Sequence, residues 1–248
     1  MKAFNNDAQL KSDLIAEVIK HRKYDAIVKG SYGDMPGIEA ENSYGDEEED
    51  VIFKGCGIGC TIHSYAIIKG VVLDTSDHKI YEQFGIPQLL ARLEDSIFEG
   101  LPSTHYKKWP KQFLSSIPVG ADLSTVWPQF AQWLLTDKKW GVIQYAKTEQ
   151  QRSAIQKVSD LYRDGGSIND FKIAYSAAAA ADAAAGDAAA AGYAADIYAA
   201  YAAGYAAADA AAADAAGYTA GYVAGYAAKY KTRIAQSKKL ISLLKAAK

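Results

Sequence analysis

The sequence lacks the features that mark secreted, membrane-spanning and strongly basic proteins. It has only two cysteines, Cys56 and Cys60, which are too few and too close for a disulfide framework, so we expect reduced thiols. No run of about 20 uninterrupted apolar residues is present, and the first residues lack a signal-peptide core, so no membrane partner is predicted. The 27 basic and 29 acidic side chains give a formal charge of −2, which excludes a global basic field for nucleic acid. We predict a soluble protein with no cofactor and no specific nucleic-acid partner.

Apolar residues at three- and four-residue spacing predict a mainly α-helical protein. The predicted helices cover residues 7–29, 87–100, 110–117, 122–135 and 149–163. Asp7, Asp122 and Thr148 stand where N-terminal caps are expected. Residues 51–74 combine β-branched residues with a glycine cluster, so strand and buried helix compete there, and a short helix after Gly59 is favoured.

The composition changes abruptly at residue 177. Alanine supplies 31 of the 52 residues from 177 to 228, and it has the highest intrinsic helix propensity. We therefore divide the chain into a helical globular domain, residues 1–166, and an Ala/Tyr/Gly-rich helical extension, residues 167–248, which closes with a basic amphipathic helix. One unbroken helix over the Ala-rich stretch would reach roughly 80 Å. The extension therefore either projects or folds back as a helical hairpin, with Gly186-Asp187 as the expected break.

Glycine and tyrosine repeat every four residues late in the extension. The glycines are Gly217, Gly221 and Gly225, and the tyrosines are Tyr218, Tyr222 and Tyr226. Small residues permit close approach of a second helix, while tyrosines add apolar area with a polar tip. This pattern predicts assembly into a homo-oligomer through the Ala-rich helix. The basic closing helix is either a docked end helix or a contact for an anionic partner.

The densest candidate site is KGCGIGCTIH, residues 54–63. Glycines free the backbone to present N–H groups, and a helix beginning there would add its positive end, which together favour an anion. The predicted ligand-binding residues are Lys54, Gly57, Gly59, Cys60, Thr61 and His63. The alternative is that the glycines and cysteines permit tight packing of a buried turn, because the spacing is neither a Walker motif nor a dinucleotide fingerprint.

Two further chemistries use the same residues. Cys56, Cys60 and His63 would lie on one face of a continuous helix and could hold zinc with His78 or His105, but the glycines interrupt such a helix, so no metal is predicted. Cys60 at a helix N-terminus would have a lowered pKa, with His63 or His78 as base in a thiol hydrolase. No third, orienting residue is identified, so no catalytic residue is assigned, and Cys60 with His63 remains the alternative.

The carboxylates of the 87–100 helix are interpreted as a solvated face. Glu94 and Asp95 are neighbours in sequence and point apart on a helix, so they cannot flank one substrate from the same side; Glu99 is included in this interpretation. His21, followed by Arg22 and Lys23, is interpreted as a polar helix end.

The resemblance to a known family rests on four segments: KGCGIGCTIHS, FGIPQLLARLEDSIFEGLP, WPKQFLSSIPVGADLS, and WLLTD followed by an Ala/Tyr/Asp-rich tail. Over residues 10–248 they resemble a recurring family of uncharacterised bacteriophage and prophage proteins. The resemblance implies a phage protein in the bacterial host cytoplasm, and it assigns no catalytic role to Cys60 or His63.

The sequence and the resemblance together predict a phage accessory protein that binds a small anionic ligand. Sequestration of a nucleotide-derived host immune signal, as counter-defence, is the specific form of this hypothesis. The alternatives are a cysteine-dependent hydrolase of a similar ligand and a structural helical assembly module.

Overall fold

The computed structural model describes residues 1–33, 53–174 and 221–248, with backbone only for 221–228. This part of the chain is helical, and its β-type backbone pairing consists of two isolated bridges, Lys2 with Asp122 and Ile27 with Gly55. The predicted mainly α-helical fold is confirmed. Residues 175–220, with the expected break at 186–187 and the Gly217/Tyr218 repeat, lie outside the described residues. The side chains of Gly221, Tyr222, Gly225 and Tyr226 do so as well. Among the helices described, none is long and apolar enough to cross a membrane.

The described residues form helices in the following chain order. They are α1 (Ala8–Lys23), α2 (Gly57–Lys69), α3 (Gln88–Gly100), α4 (Ser103–Tyr106), α5 (Trp109–Ser116), α6 (Val126–Thr136), α7 (Glu149–Asp164) and the C-terminal helix (Gly221–Ala246). Shorter 3-10 helices cover Ala3–Asn6, His78–Phe84 and Val142–Tyr145. Residues 168–174 are also helical.

Two of the predicted caps are confirmed. The Asp7 side chain accepts hydrogen bonds from the backbone N–H groups of Gln9 (2.8 Å) and Leu10 (3.0 Å) at the start of α1. Thr148 and Gln151 form a reciprocal capping box at the start of α7. Both helices therefore begin where the sequence predicts.

The predicted cap at Asp122 is wrong. The Asp122 backbone pairs with Lys2, and its N–H donates to the Lys248 carbonyl at 2.7 Å, so the residue is held in extended backbone. Helix α6 consequently begins at Val126.

The predicted end of α1 at residue 29 is also wrong. Asp25 adopts a left-handed φ of 55°, and the Ala26 N–H returns to the His21 carbonyl at 2.9 Å. The helix therefore stops at Lys23.

The chain divides into two compact units, Met1–Leu123 with Leu244–Lys248, and Ser124–Leu243. The domain boundary at 166/167 stays a prediction. In the second unit, α6 packs against α7. The core of that unit contains Leu135, Val142, Ala146, Ile155, Val158 and Ala174.

Helix α2 is the centre of the first unit. It contacts α1, α3, α5 and the His78–Phe84 segment, and its residues from Gly57 to Ile62 are all buried. The largest buried side chains around it include Phe4, Leu14, Tyr81, Phe84, Phe98, Trp109 and Phe113. Because α2 is enclosed along most of its length, any polar group near it must find a partner inside the unit.

Candidate functional site

The glycine turn at the start of α2 is tightly packed. The helix begins at Gly57, three residues earlier than predicted, and Cys56 caps it because its Sγ accepts a hydrogen bond from the Gly59 N–H at 3.4 Å. A Cβ at position 59 would lie 1.9 Å from the backbone oxygen of Tyr32, and a Cβ at position 57 would lie 2.9 Å from Glu94 Oε1. These glycines therefore permit close packing of a buried turn, as the alternative interpretation states.

The predicted ligand-binding residues differ in their exposure. Lys54 is exposed, whereas Gly57, Gly59 and Cys60 are buried. The Thr61 hydroxyl donates to the Gly57 carbonyl at 2.8 Å. The anion site at this turn stays a prediction, and the carboxyl group of Glu94, whose Oε1 lies 2.9 Å from the Cβ position at residue 57, disfavours an anion there.

The predicted lowered pKa of Cys60 is wrong. Its Sγ is enclosed and lies 3.3 Å from the Gly55 carbonyl and 3.8 Å from the Ala26 carbonyl. Burial raises the pKa of this thiol to about 12, because the thiolate would lose its hydration. His63 hydrogen-bonds to His21 rather than to Cys60, so the structure does not assemble the predicted thiol and base.

The interpretation of Glu94 and Asp95 as a solvated face is wrong. Glu94 is 0% exposed and Asp95 is 8% exposed, because α3 is packed against α2, α5 and the His78–Phe84 segment. Both faces of α3 are covered, and both carboxyl groups lie near the start of α2. The helix therefore carries two carboxyl groups into the interior of the unit.

These carboxyl groups belong to a set that we call the Cys56 cluster: Cys56, His78, Glu94, Asp95 and Glu99. One ligand atom from each of Cys56, Asp95 and Glu99 lies within 4.8 Å of the others. Asp95 and Glu99 are four residues apart on α3 and share a helix face. Cys56 meets them from the turn before α2.

Hydrogen bonds fix the orientation of the Asp95, His78 and Glu99 side chains. Asp95 Oδ2 accepts from His78 Nε2 at 3.0 Å and from the Tyr32 hydroxyl at 3.1 Å. The other ring nitrogen of His78 lies 3.1 Å from the Ser76 carbonyl. Glu99 Oε1 accepts from the Gly30 N–H at 3.1 Å. Hydrogen bonds to one oxygen thus hold the carboxylate of Asp95 and that of Glu99.

The Cys56 cluster has more buried acceptors than donors. Within the described part of the chain, neither oxygen of Glu94 has a hydrogen-bond partner, and Asp95 Oδ1 has none either. Burial, followed by the charges of Asp95 and Glu99, raises the pKa of Glu94 well above its usual range. Burial, with smaller contributions from Asp95 and Glu94, likewise raises the pKa of the Cys56 thiol. The cluster therefore favours bound protons or a bound cation.

The zinc set considered from sequence is not assembled. His105 is exposed and pairs with the neighbouring Thr104 hydroxyl at 2.8 Å, while Cys60 and His63 have the partners described above. Among the residues that the structure describes, Cys56, Asp95 and Glu99 form the group that could hold a metal. Two sequence signals point to the Cys56 cluster. One is the i, i+4 spacing of Asp95 and Glu99, and the other is the position of Glu94 four residues from both Leu90 and Phe98 on an apolar stripe.

Two further polar side chains, His21 of α1 and His63 of α2, meet away from the Cys56 cluster. His21, predicted as a polar helix end, is 8% exposed, and its Nε2 lies 3.3 Å from His63 Nδ1. The Phe53 ring stacks on His63 with centroids 4.1 Å apart and meets His21 edge-on at 5.8 Å. Burial lowers the pKa of both rings, that of His21 to about 4 with the charge of His63 as a second cause. We call these two residues the histidine pair.

A cavity of about 340 Å³ lies beside the histidine pair. We call it the α2 cavity. Its walls are Phe53, His63, Ala66, Ile67, Thr75 and the residues 70–73 that follow α2. The lining is mainly apolar, with the His63 ring and the Thr75 hydroxyl as polar side chains. Of the predicted ligand-binding residues, His63 is the one that lines this space.

No protein-family model, curated protein or solved structure matches the chain, so the phage resemblance stays a prediction and the geometry of the first unit carries the functional proposal.

Proposed function

We propose that the protein binds a small molecule in the α2 cavity. The cavity volume is the observation that carries this proposal, since about 340 Å³ falls within the range of small-molecule sites, roughly 300–1,000 Å³. Its lining combines many apolar groups with few polar ones, which is typical of such sites. The proposal retains the sequence-based hypothesis of ligand binding and moves the site from the glycine turn to the far side of His63.

The lining defines the chemistry of the ligand. Val71 is 49% exposed and Val72 is 90% exposed at the end of α2, so a ligand with an apolar body would remove apolar surface from water there. His63 Nδ1 is engaged by His21, which leaves Nε2 to meet a polar group of the ligand. Because burial lowers the pKa of His63, the ring acts as a neutral hydrogen-bonding group.

The finer parts of the hypothesis remain within this proposal. They are that the ligand is anionic and nucleotide-derived, and that a phage protein holds it intact in the host cytoplasm. A nucleobase is flat, and its apolar ring faces suit the walls of the α2 cavity. An anionic group would lie outside the apolar walls, because the neutral histidine pair supplies no compensating charge.

Binding is favoured over thiol-dependent hydrolysis by the state of Cys60. Its thiol is enclosed, points at backbone carbonyls and has a raised pKa, so it lacks the thiolate character that a nucleophile needs. The proposed role is therefore sequestration.

The test is mass spectrometry of small molecules released when the purified full chain is denatured. We expect an unaltered ligand from the parent and none from Ala66→Trp, whose side chain would fill the α2 cavity. Ala16→Trp is the matched control, because Ala16 is exposed on α1 in the same unit. Circular dichroism checks that both variants are folded.

The other outcomes are informative. Equal recovery from Ala66→Trp and the parent would place the ligand elsewhere. A chemically altered molecule would favour the hydrolase, and absence of any ligand from the parent would favour the structural module. His63→Gln should weaken binding about tenfold, the effect of losing one hydrogen bond of about 1.4 kcal/mol.

A further inference from the structure

The Cys56 cluster has no part in the α2 cavity and presents metal-ligating atoms of three residues close together. From this arrangement we infer that Cys56, Asp95 and Glu99 bind a divalent transition-metal ion, with zinc as the best match. Their ligand atoms lie within 4.8 Å of one another. Around one zinc ion, a sulfur at about 2.3 Å and oxygens at about 2.1 Å would stand roughly 3–4 Å apart. A small closing movement of the side chains is enough to complete the site.

An independent observation also points to a cation. Glu94 is 0% exposed and has no hydrogen-bond partner on either oxygen, and Asp95 Oδ1 is buried without one. Glu94 Oε1 lies 2.9 Å from the Cβ position at residue 57, immediately after Cys56, so this carboxyl group reaches into the same space as the thiol. Buried oxygens without donors are costly, and an ion among them removes that cost.

The hydrogen bonds hold Asp95 and Glu99 in place. Asp95 uses Oδ2 for His78 and Tyr32, and its other oxygen has no hydrogen-bond partner. Glu99 uses Oε1 for the Gly30 N–H. Such contacts behind a ligand orient it toward the metal, and they are as characteristic of metal sites as the ligands themselves.

The identity of the ligands selects the metal. A thiolate favours zinc and other softer ions over magnesium and calcium, which prefer oxygen donors only. Three protein ligands leave a fourth tetrahedral position, and the Glu94 carboxylate or a water molecule is the candidate to fill it.

The experiment titrates cobalt(II), a spectroscopic probe for zinc, into the full chain after removal of metals with a chelator. The parent should bind one ion and develop a near-ultraviolet sulfur-to-cobalt charge-transfer band that zinc abolishes by competition. Cys56→Ser should lose the band and bind about 10- to 100-fold more weakly or worse. Cys60→Ser is the matched control, because it removes the other buried thiol of the same region and should keep the band.

The following results would overturn the inference. A folded parent without the band, or a band that survives Cys56→Ser and disappears in Cys60→Ser, overturns it and leaves the carboxyl groups holding protons only. If circular dichroism shows Cys56→Ser unfolded, Glu99→Gln replaces it, since Glu99 is only partly buried. That variant should keep the band and bind at least about tenfold more weakly; unchanged affinity would remove Glu99 from the site.

Discussion

The two ends of α2 bury polar groups in different ways. At its start, the Cys56 cluster collects carboxyl oxygens that outnumber the donors around them, and Glu94 has no hydrogen-bond partner at all. Further along, each member of the histidine pair has the other as a partner, because one ring nitrogen lies 3.3 Å from another, and the Phe53 ring stacks on His63. A polar group with such a partner can serve as a neutral wall of a cavity. A group short of donors indicates a missing cation or proton.

The glycines at the two ends of α2 should differ most in their tolerance of substitution. Gly59→Ala places a Cβ 1.9 Å from the Tyr32 backbone oxygen, so backbone must move, and we expect a loss of about 3 kcal/mol or more. Gly70→Ala meets no atom within 4 Å and suffers only from its φ of +65°, a cost of about 1–2 kcal/mol. Urea denaturation measures both changes. Equal losses in the two variants would show that the glycine turn is less tightly packed than described.

Glu94 should make the metal-free protein less stable as the pH rises. Its pKa is raised in the folded state, so its contribution is complete below the unfolded value near 4.3 and is lost as the pH climbs toward the folded pKa. The expected slope is about 1.4 kcal/mol per pH unit over that window. Glu94→Gln should remove this slope, and Glu82→Gln, a partly exposed carboxyl of the same unit, should keep it. Free energies of unfolding measured in chelator across the pH range provide the check, and an unchanged slope in Glu94→Gln would contradict it.

The histidine pair should show the opposite pH dependence. Burial holds the pKa of His21 at about 4, below its unfolded value near 6.5. Its contribution is therefore complete above pH 6.5 and is lost as the pH falls toward 4. One pKa unit corresponds to about 1.4 kcal/mol, and partial solvent access reduces the total. His21→Gln keeps a hydrogen-bonding group beside His63 without this titration and should flatten the acid limb of the stability curve. Parallel acid limbs for variant and parent would argue that the ring is better hydrated than its burial suggests.

The helical fold could be predicted because local signals and packing agree. Asp7 and Thr148 cap α1 and α7 as the sequence indicates, since a cap needs only residues within one turn. The wrong cap at Asp122 depends on distant residues. Asp122 resembles a cap, but its backbone pairs with Lys2 and Lys248, which are far away in sequence.

The candidate site could be predicted only in part, for the same reason. The sequence identifies His63, yet its partner His21 comes from another helix and has no local signal. The sequence predicts a solvated face for Glu94 because charged residues on helices are usually exposed. Its spacing from Leu90 and Phe98 favoured the buried face, but only the packing of α2 and α5 around α3 decides that both faces are covered.

Lys54 should show the smallest effect and separates the two locations proposed for the ligand. It lies between the buried residues Phe53 and Gly55, but its own side chain is exposed, and exposed positions usually change stability by no more than about 0.5 kcal/mol. If the ligand occupies the α2 cavity, Lys54→Ala should leave its recovery unchanged, because Lys54 does not line that cavity. An anion bound at the glycine turn would instead lose a nearby positive charge and bind more weakly. The same release experiment, run on Lys54→Ala beside the parent, therefore decides whether the ligand lies at the start of α2 or beside the histidine pair.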